Sequence, residues 1–441
     1  MKITPLERVI AGKLGIDHGQ PLEPDAVRGY QLDRLAETIA YARKNSPFYR
    51  TKLAALDDRC LTGDELLAEL PFTSEEELRR HGREMLCVSQ DEVARIITMH
   101  SSGTTGEPKR LFFSGDDLEQ TLDFFQHGMR SLVEPGEKVL ILLPGKSPDS
   151  TGDLLARALA RMDVGSHVHG LVADPEQAAK EVFIGRYQAI AGFPVQVLAL
   201  ARCAAALELD TGPIQSVLLC SDYIPQAASA ALESMWRCRV FSHYGTVETG
   251  LGGGVECESR NGCHLREDDL LFEVVCPRTG KVRPPGEFGE IVFSTLNRRA
   301  MPLIRYRTGD YGRLLPGPCA CGSTIRRLDR VRGRINQERQ LANGHRLTMA
   351  DLDEALLSVP GVLDFQAFLD STAKGDRLTI RFTILKEHAA GLLRDVAFRL
   401  QRLAVLEDVQ VVPELSTGSH IRQGKRLIKD NREKMHHEKT H

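Results

Sequence analysis

The chain has 441 residues, more than one ordinary core accommodates, so a large domain with at least one smaller one is expected. Its 42% hydrophobic and 27% charged residues are those of a globular protein, and 57 Lys and Arg against 60 Asp and Glu leave a formal charge of -3, which argues against the broad basic surface of a nucleic-acid-binding protein. The opening Met1-Lys-Ile-Thr-Pro-Leu-Glu run is polar rather than a signal peptide, and no apolar run is long enough to span a bilayer, so a cytoplasmic location and no membrane partner are expected.

From Pro24 the positions Tyr30, Leu32, Leu35, Ile39 and Ala42 recur at helical spacing and stop near Asn45-Ser-Pro. Pro71-Phe-Thr-Ser-Glu-Glu-Glu sets hydroxyls before acids, a helix-start signal. Between Arg95 and Val240, short apolar runs (Val139-Leu-Ile-Leu-Leu, Ala189-Ile-Ala-Gly-Phe, Val217-Leu-Leu-Cys) alternate with helical stretches such as 152–160, which predicts buried strands joined by crossover helices. From 270 to 327, Leu271-Phe-Glu-Val-Val, Glu290-Ile-Val-Phe-Ser and Tyr311-Gly-Arg-Leu-Leu predict short strands in a small barrel or open sheet. A boundary is expected at Arg332-Gly-Arg. Beyond it the pattern predicts a helix at 349–358, strands at 362–369 and 378–385, a helix at 389–403 and a strand at 409–412, with the charged tail 422–441 frayed except near Lys425. The expected fold class is α/β: a large N-terminal multi-sheet α/β domain over 1–332 with a small barrel-like subdomain, then a small C-terminal α+β domain over 333–441.

The strongest chemical signal is Ser101-Ser-Gly-Thr-Thr-Gly-Glu-Pro-Lys109. Ser101, Ser102, Thr104 and Thr105 are hydroxyl donors, Gly103 and Gly106 let the backbone approach a ligand closely, and Lys109 adds positive charge, a combination suited to a polyphosphate. The spacing is not that of a Walker loop, so P-loop NTPase chemistry is not implied. Three further segments follow in order: His243-Tyr-Gly-Thr-Val-Glu-Thr249, Tyr306-Arg-Thr-Gly-Asp310, and Gly333-Arg-Ile-Asn336 with Gly344-His-Arg346. Ser46-Pro-Phe-Tyr49 and Leu70-Pro-Phe-Thr73 add weaker likenesses. In these segments, over nearly the whole chain, the sequence resembles the adenylate-forming ligase superfamily, and within it the phenylacetate–CoA ligase family.

The resemblance implies an acid–thiol ligase that uses ATP and magnesium to convert an organic, aromatic carboxylic acid to acyl-AMP and then passes the acyl group to coenzyme A. The loop with Thr104 and Thr105 would cradle the phosphates. Tyr244, Gly245 and Thr246 would line the nucleotide site, Glu248 would hold magnesium, Asp310 would accept from the ribose hydroxyls, and Arg334 would reach ribose or phosphate. Lys425, in Gly418-Ser-His-Ile-Arg-Gln-Gly-Lys425, resembles the family lysine that swings onto the acyl-phosphate during adenylation. The residues from 333 on would then form a mobile lid that rotates between half-reactions. By the same resemblance the acyl pocket lies between 143–149, 191–194 and Tyr244, with Phe193 and Tyr244 stacking on the acid and Lys146, Asp149 and His243 adding polarity.

Two residues depart from the family pattern: Val247 stands where a hydroxyl residue precedes the acid, and Asn336 stands at an acidic hinge position. Two other readings stay open: an adenylating enzyme that serves a carrier protein or another acceptor, and a weakly active acyl-AMP- or nucleotide-binding homologue, which Val247 and the shortened lysine segment keep open. Ten cysteines in a chain of this length make no disulfide scaffold. Cys257, His264, Cys319 and Cys321 match a Cys, His, Cys-x-Cys pattern of part of the family and have zinc-ligand chemistry, with Cys263 as a competitor for the His264 position. Cys60, Cys87, Cys203, Cys220, Cys238 and Cys276 read as core or surface residues. Homodimerisation is an expectation of the family alone.

Overall fold

Proline and hydroxyl caps set the helix starts near the N-terminus. The computed structural model describes residues 4–16, 20, 22–56, 65–99, 108–373, 375–416 and 420–432. Pro24 opens the helix Pro24–Asn45 where a missing N–H costs nothing, and Leu35, Ile39 and Ala42 turn its inner face to the core. Ser46 ends that helix and caps the next, Pro47–Lys52, by accepting from the Tyr49 amide at 3.2 Å. Ser74 and Glu77 close a capping box on Glu75–His81, the start read from Thr73-Ser74 and the acids after them. No helix among the described residues is long and apolar enough to cross a membrane.

The chain divides into two units: Met1–Ser131 with Arg157–Met162 and Ser242–Val331, and Leu132–Ala156 with Asp163–Phe241 and Arg332–His441. In the first, the strands Val93–Met99 and Lys109–Ser114 pair antiparallel, and Leu270–Val275, Gly289–Thr295 and Tyr306–Gly312 form a three-stranded antiparallel sheet. A ladder of short strands runs Leu314–Leu315, Arg327–Leu328, Cys263–Leu265, Gly254–Glu256 and on to the His243–Tyr244 end of Arg239–Tyr244. Arg305 sits just before the Tyr306 strand and binds Glu273 bidentately, at 2.8 and 3.0 Å. It also donates to the Leu70 carbonyl at 2.8 Å and lies over the Phe72 ring at 4.1 Å. Both partners of this pair are buried, so the fork geometry and the extra carbonyl offset the cost of removing two charges from water.

In the second unit, Gly165–Val168, Lys138–Leu142, Ala189–Gly192 and Ser216–Leu219 lie parallel in that order. The three inner strands, Lys138–Leu142, Ala189–Gly192 and Ser216–Leu219, are largely apolar and buried, as in strands covered on both faces, whereas the edge strand Gly165–Val168 is mostly exposed. Gln410–Leu415, Gly375–Ile384, Val362–Thr372 and Ile428–Asp430 form a second, four-stranded sheet. One hydrophobic core runs through the unit, from Leu140, Leu198 and Val217 to Leu356, Phe382 and Ile428. Glu354 accepts from the Tyr223 hydroxyl and from the Gln226 and Ala227 amides at 2.7–3.0 Å, which caps a helix, Gln226–Trp236, whose own N-cap residue is Pro225. Within the tail expected to be frayed, Ile428–Asp430 is instead a strand that pairs parallel with Val362–Thr372, with Ala367 opposite Ile428, while residues 433–441 lie outside the described residues. A three-residue strand is invisible in a charged sequence because its partner lies some sixty residues upstream.

Arg305→Ala leaves Glu273 buried without its partner. We expect it to lower stability by about 3–5 kcal/mol, read as a fall in the denaturant midpoint with an unchanged m-value.

Candidate active site and metal cluster

Among the described residues, members of three of the four motif segments meet in the first unit. Lys109 opens the strand Lys109–Ser114, and its ammonium binds Glu248 Oε1 and lies 3.2 Å from Glu75 Oε1. The Lys109 and Glu248 side chains are only 7% and 5% exposed, so each charge depends on the other. The Tyr306 hydroxyl donates to the same Glu248 oxygen at 3.2 Å, and the Arg298 guanidinium donates to the Glu248 carbonyl at 2.6 Å. Partial burial works to raise the Glu75 carboxyl, but the Lys109 and Arg79 charges outweigh it and hold it below the usual carboxylate range.

Tyr244 ends its strand and donates to Asp310 Oδ2 at 3.1 Å. Asp310 is aimed by an irregularity in its own strand: Glu290 faces Tyr311 and Val292 faces Arg307, so one residue of the partner strand opposes three, Thr308 to Asp310. Gly309 takes φ +73 inside this bulge, a conformation glycine adopts without strain. The Thr308 hydroxyl donates to the Ile291 carbonyl at 2.7 Å and accepts from the Asp310 amide at 3.0 Å. Behind the two tyrosines an aromatic row, Tyr244–Phe272–Phe293–Tyr306, has centroid spacings of 5.7–6.2 Å. Gly253 lets Tyr244 and Phe272 close up, since a β-carbon there would lie 3.1–3.2 Å from both rings.

Between Gly245 and Glu248 the chain turns on itself. The Thr246 hydroxyl accepts from the Thr249 amide at 3.3 Å, and the Thr249 hydroxyl donates to the Thr246 carbonyl at 2.9 Å. Both hydroxyls beside Val247 are therefore engaged in the turn. His243 packs against Phe124 and Phe125, and burial takes its imidazole down to about 4, so it is neutral. Neither of its ring nitrogens has a partner among the described residues.

Ser101, Ser102, Gly103, Thr104, Thr105 and Gly106 lie outside the described residues. Arg334 and Lys425 belong to the second unit, where Arg334 is half-buried and Lys425 exposed. Gly333, beside Arg334, takes φ +126, which no other residue type adopts readily. Sequence reasoning did not single out Glu75 or Tyr306 as site residues. Tyr306 opens the Tyr-Arg-Thr-Gly-Asp310 segment and was legible there, whereas Glu75 is one of three consecutive acids at a helix start and carries no local mark.

Cys257, His264, Cys319 and Cys321 converge, all buried, with their ligand atoms within 4.8 Å of one another. Cys257 Sγ lies 3.7 Å from Cys319 Sγ, and Cys321 Sγ lies 3.5 Å from His264 Nε2. A tetrahedral zinc site with Zn–S bonds of ~2.3 Å and Zn–N bonds of ~2.0–2.1 Å has edges of about 3.5–3.8 Å. The donor set and its spacing therefore fit zinc. Burial takes the His264 imidazole down to about 4, in the neutral form that ligates. Cys263 is not part of the group: in the strand Cys263–Leu265 it alternates with His264, and its thiol meets the Ser242 carbonyl at 3.4 Å.

No family model matches the chain. The phenylacetate–coenzyme A ligase of Thermus thermophilus is 30% identical over 358 residues, covering 78% of each chain. That of Pseudomonas putida is 29% identical over 360 residues, again 78% of each, and that of Escherichia coli is 28% identical over 347 residues, 76% of each. Among solved structures, a 2-hydroxyisobutyryl-CoA ligase in the postadenylation state, in complex with 2-HIB-AMP, superimposes with a TM-score of 0.78 at 20% identity, over 94% of this chain and 91% of that one. The fold is that of the adenylate-forming acyl-CoA ligases. The chain belongs to the phenylacetate–CoA ligase family.

Lys109→Met strands Glu248 and is expected to destabilise the protein by about 3–5 kcal/mol. Glu248→Gln in the same chain should recover part of that loss. The double-mutant cycle, measured by denaturant unfolding, is expected to give a coupling of about 1–3 kcal/mol; a coupling near zero would show that the pair is not formed.

Proposed function

We propose that this chain activates an organic, aromatic carboxylic acid with ATP, forming acyl-AMP and releasing pyrophosphate, and then transfers the acyl group to coenzyme A. The observation that carries the reading is the meeting of Lys109, Tyr244, Glu248 and Asp310, drawn from three separated motif segments. Family membership supports the reaction class.

In the first half-reaction a carboxylate oxygen attacks the α-phosphorus and pyrophosphate leaves. In the second, the coenzyme A thiol attacks the acyl carbon and AMP leaves. Negative charge crowds the reacting centre, so the protein's work is positioning and neutralisation. In this reading Asp310, already oriented by Tyr244, accepts from the ribose hydroxyls, and Arg334 reaches ribose or phosphate. Ser101, Ser102, Thr104, Thr105 and the backbone at Gly103 and Gly106 hold the polyphosphate with Lys109, while Gly245 and Thr246 border the nucleotide. Lys425 neutralises the acyl-phosphate oxygens during adenylation; a movement of residues 333–441 as a lid between the two half-reactions would have to open the core they share with the parallel sheet. His243, with Phe124 and Phe125 around it, favours an aromatic acid that carries a polar substituent.

Glu248 is the proposed magnesium ligand. Its fit rests on a buried carboxylate that already draws a cation, the Lys109 ammonium, to one oxygen. A magnesium ion bound there would neutralise polyphosphate charge. Zinc at Cys257, His264, Cys319 and Cys321 would be structural, tying the 257–264 segment to the 319–321 turn.

Purified protein incubated with ATP, magnesium and a panel of aromatic acids is expected to release pyrophosphate, and added coenzyme A is expected to yield the thioester by mass spectrometry. No pyrophosphate with any acid would overturn the activation step. Pyrophosphate without a thioester would move the acceptor to a carrier protein or an amine. Metal analysis is expected to give about one zinc per chain, with Cys319→Ser lowering both the metal content and the thermal midpoint.

A further inference from the structure

Lys425 stands at the exposed apex of a short span that is pinned at both ends. Before it, Ile421 is buried and the Arg422 amide donates to Asp364 Oδ2 at 3.0 Å. After it, the Arg426 guanidinium is buried between Asp353 and Asp364, with Asp364 Oδ1 at 3.3 Å. Arg426 also lies 4.2 Å over the Phe365 ring, and Ile428 enters the sheet two residues later. One carboxylate therefore closes the loop: Asp364 takes the Arg422 amide on one oxygen and the Arg426 charge on the other. Asp364 is held in turn: it pairs with Thr383 across the strands, and its Oδ1 also accepts from the Phe365 amide at 2.8 Å. Burial pushes the Asp222 carboxyl up, opposed by the charges of Arg426 and Lys425.

We infer that Asp364 and Arg426 are positioning residues for Lys425: they hold four residues, Arg422 to Lys425, as a fixed bracket that presents the lysine. The inference rests on the reading of Lys425 as the adenylation lysine. A long, flexible ammonium neutralises a phosphate only if its backbone is held at one distance, and a displacement of an ångström at such a centre costs on the order of 10²-fold in rate. Neither Asp364 nor Arg426 would touch a substrate; both act through the loop.

The test measures the two half-reactions separately in the full chain, with Lys425→Ala as the reference. Asp364→Asn keeps the side-chain volume but loses the charge facing Arg426 and one of the two acceptor oxygens, so a single amide oxygen cannot serve both the Arg422 amide and the Arg426 side. Arg426→Lys keeps a charge but loses the fork and much of the contact with Phe365. Unchanged circular dichroism and denaturant midpoints near that of the unmodified chain identify the variants that fold. In Asp364→Asn we expect kcat for acid-dependent pyrophosphate release to fall on the order of 10²-fold with little change in KM for ATP. Thioester formation from chemically made acyl-AMP and coenzyme A is expected to hold. Arg426→Lys should show the same split, more weakly, and amide hydrogen exchange at 421–426 should quicken in both. Equal loss of both half-reactions would reduce the anchor to a structural role and overturn the inference. So would a folded Asp364→Asn that adenylates normally while Lys425→Ala does not. Normal adenylation by Lys425→Ala would instead overturn the assignment of the lysine itself, and the inference with it.

Discussion

The candidate site depends on one buried ion pair, Lys109 with Glu248. Either charge alone in that position would cost several kcal/mol, and the two together are tolerable because the ammonium touches the carboxylate and Tyr306 donates to the same oxygen. The pair joins a strand, a turn and a second strand that lie 139 and 58 residues apart. Glu75 is a second carboxylate within reach of the lysine, kept ionised by the same ammonium and by Arg79.

The surrounding structure keeps that pair in register. Arg305 and Glu273 fix the entry to the Tyr306 strand, the row of aromatic rings backs both tyrosine hydroxyls, and the three-residue bulge turns Asp310 toward Tyr244. The Cys and His cluster lies on a neighbouring ladder and joins the 257–264 and 319–321 segments. The second unit uses the same device on a smaller scale. There Asp364 holds both ends of the loop that carries Lys425, and Glu354 caps a helix whose own cap residue has no acceptor side chain. In each case a buried or half-buried carboxylate with more than one donor does the fixing, because an ionised acceptor bonds several donors at once and loses much if any is withdrawn.

What could be read from the sequence was what local chemistry dictates. The helix Pro24–Asn45, the capping box at Ser74, the apolar strands of the parallel sheet and the helices and strands after residue 349 all follow from periodicity, caps and runs of a few residues. The motif segments singled out Tyr244, Glu248 and Asp310, and the pattern of thiols and imidazole singled out the four clustered ligands. Tertiary structure alone decided which residues meet. Lys109 reads as a phosphate-loop lysine, and nothing near it in the chain says that its partner is Glu248. Cys263 and His264 are equal candidates until strand alternation separates them, and the tail strand Ile428–Asp430 exists only because Val362–Thr372 offers it an edge. Short-range order is set by backbone and side-chain preferences that each residue carries with it. Charge pairing, register and edge pairing depend on distances between segments that only the folded chain brings together.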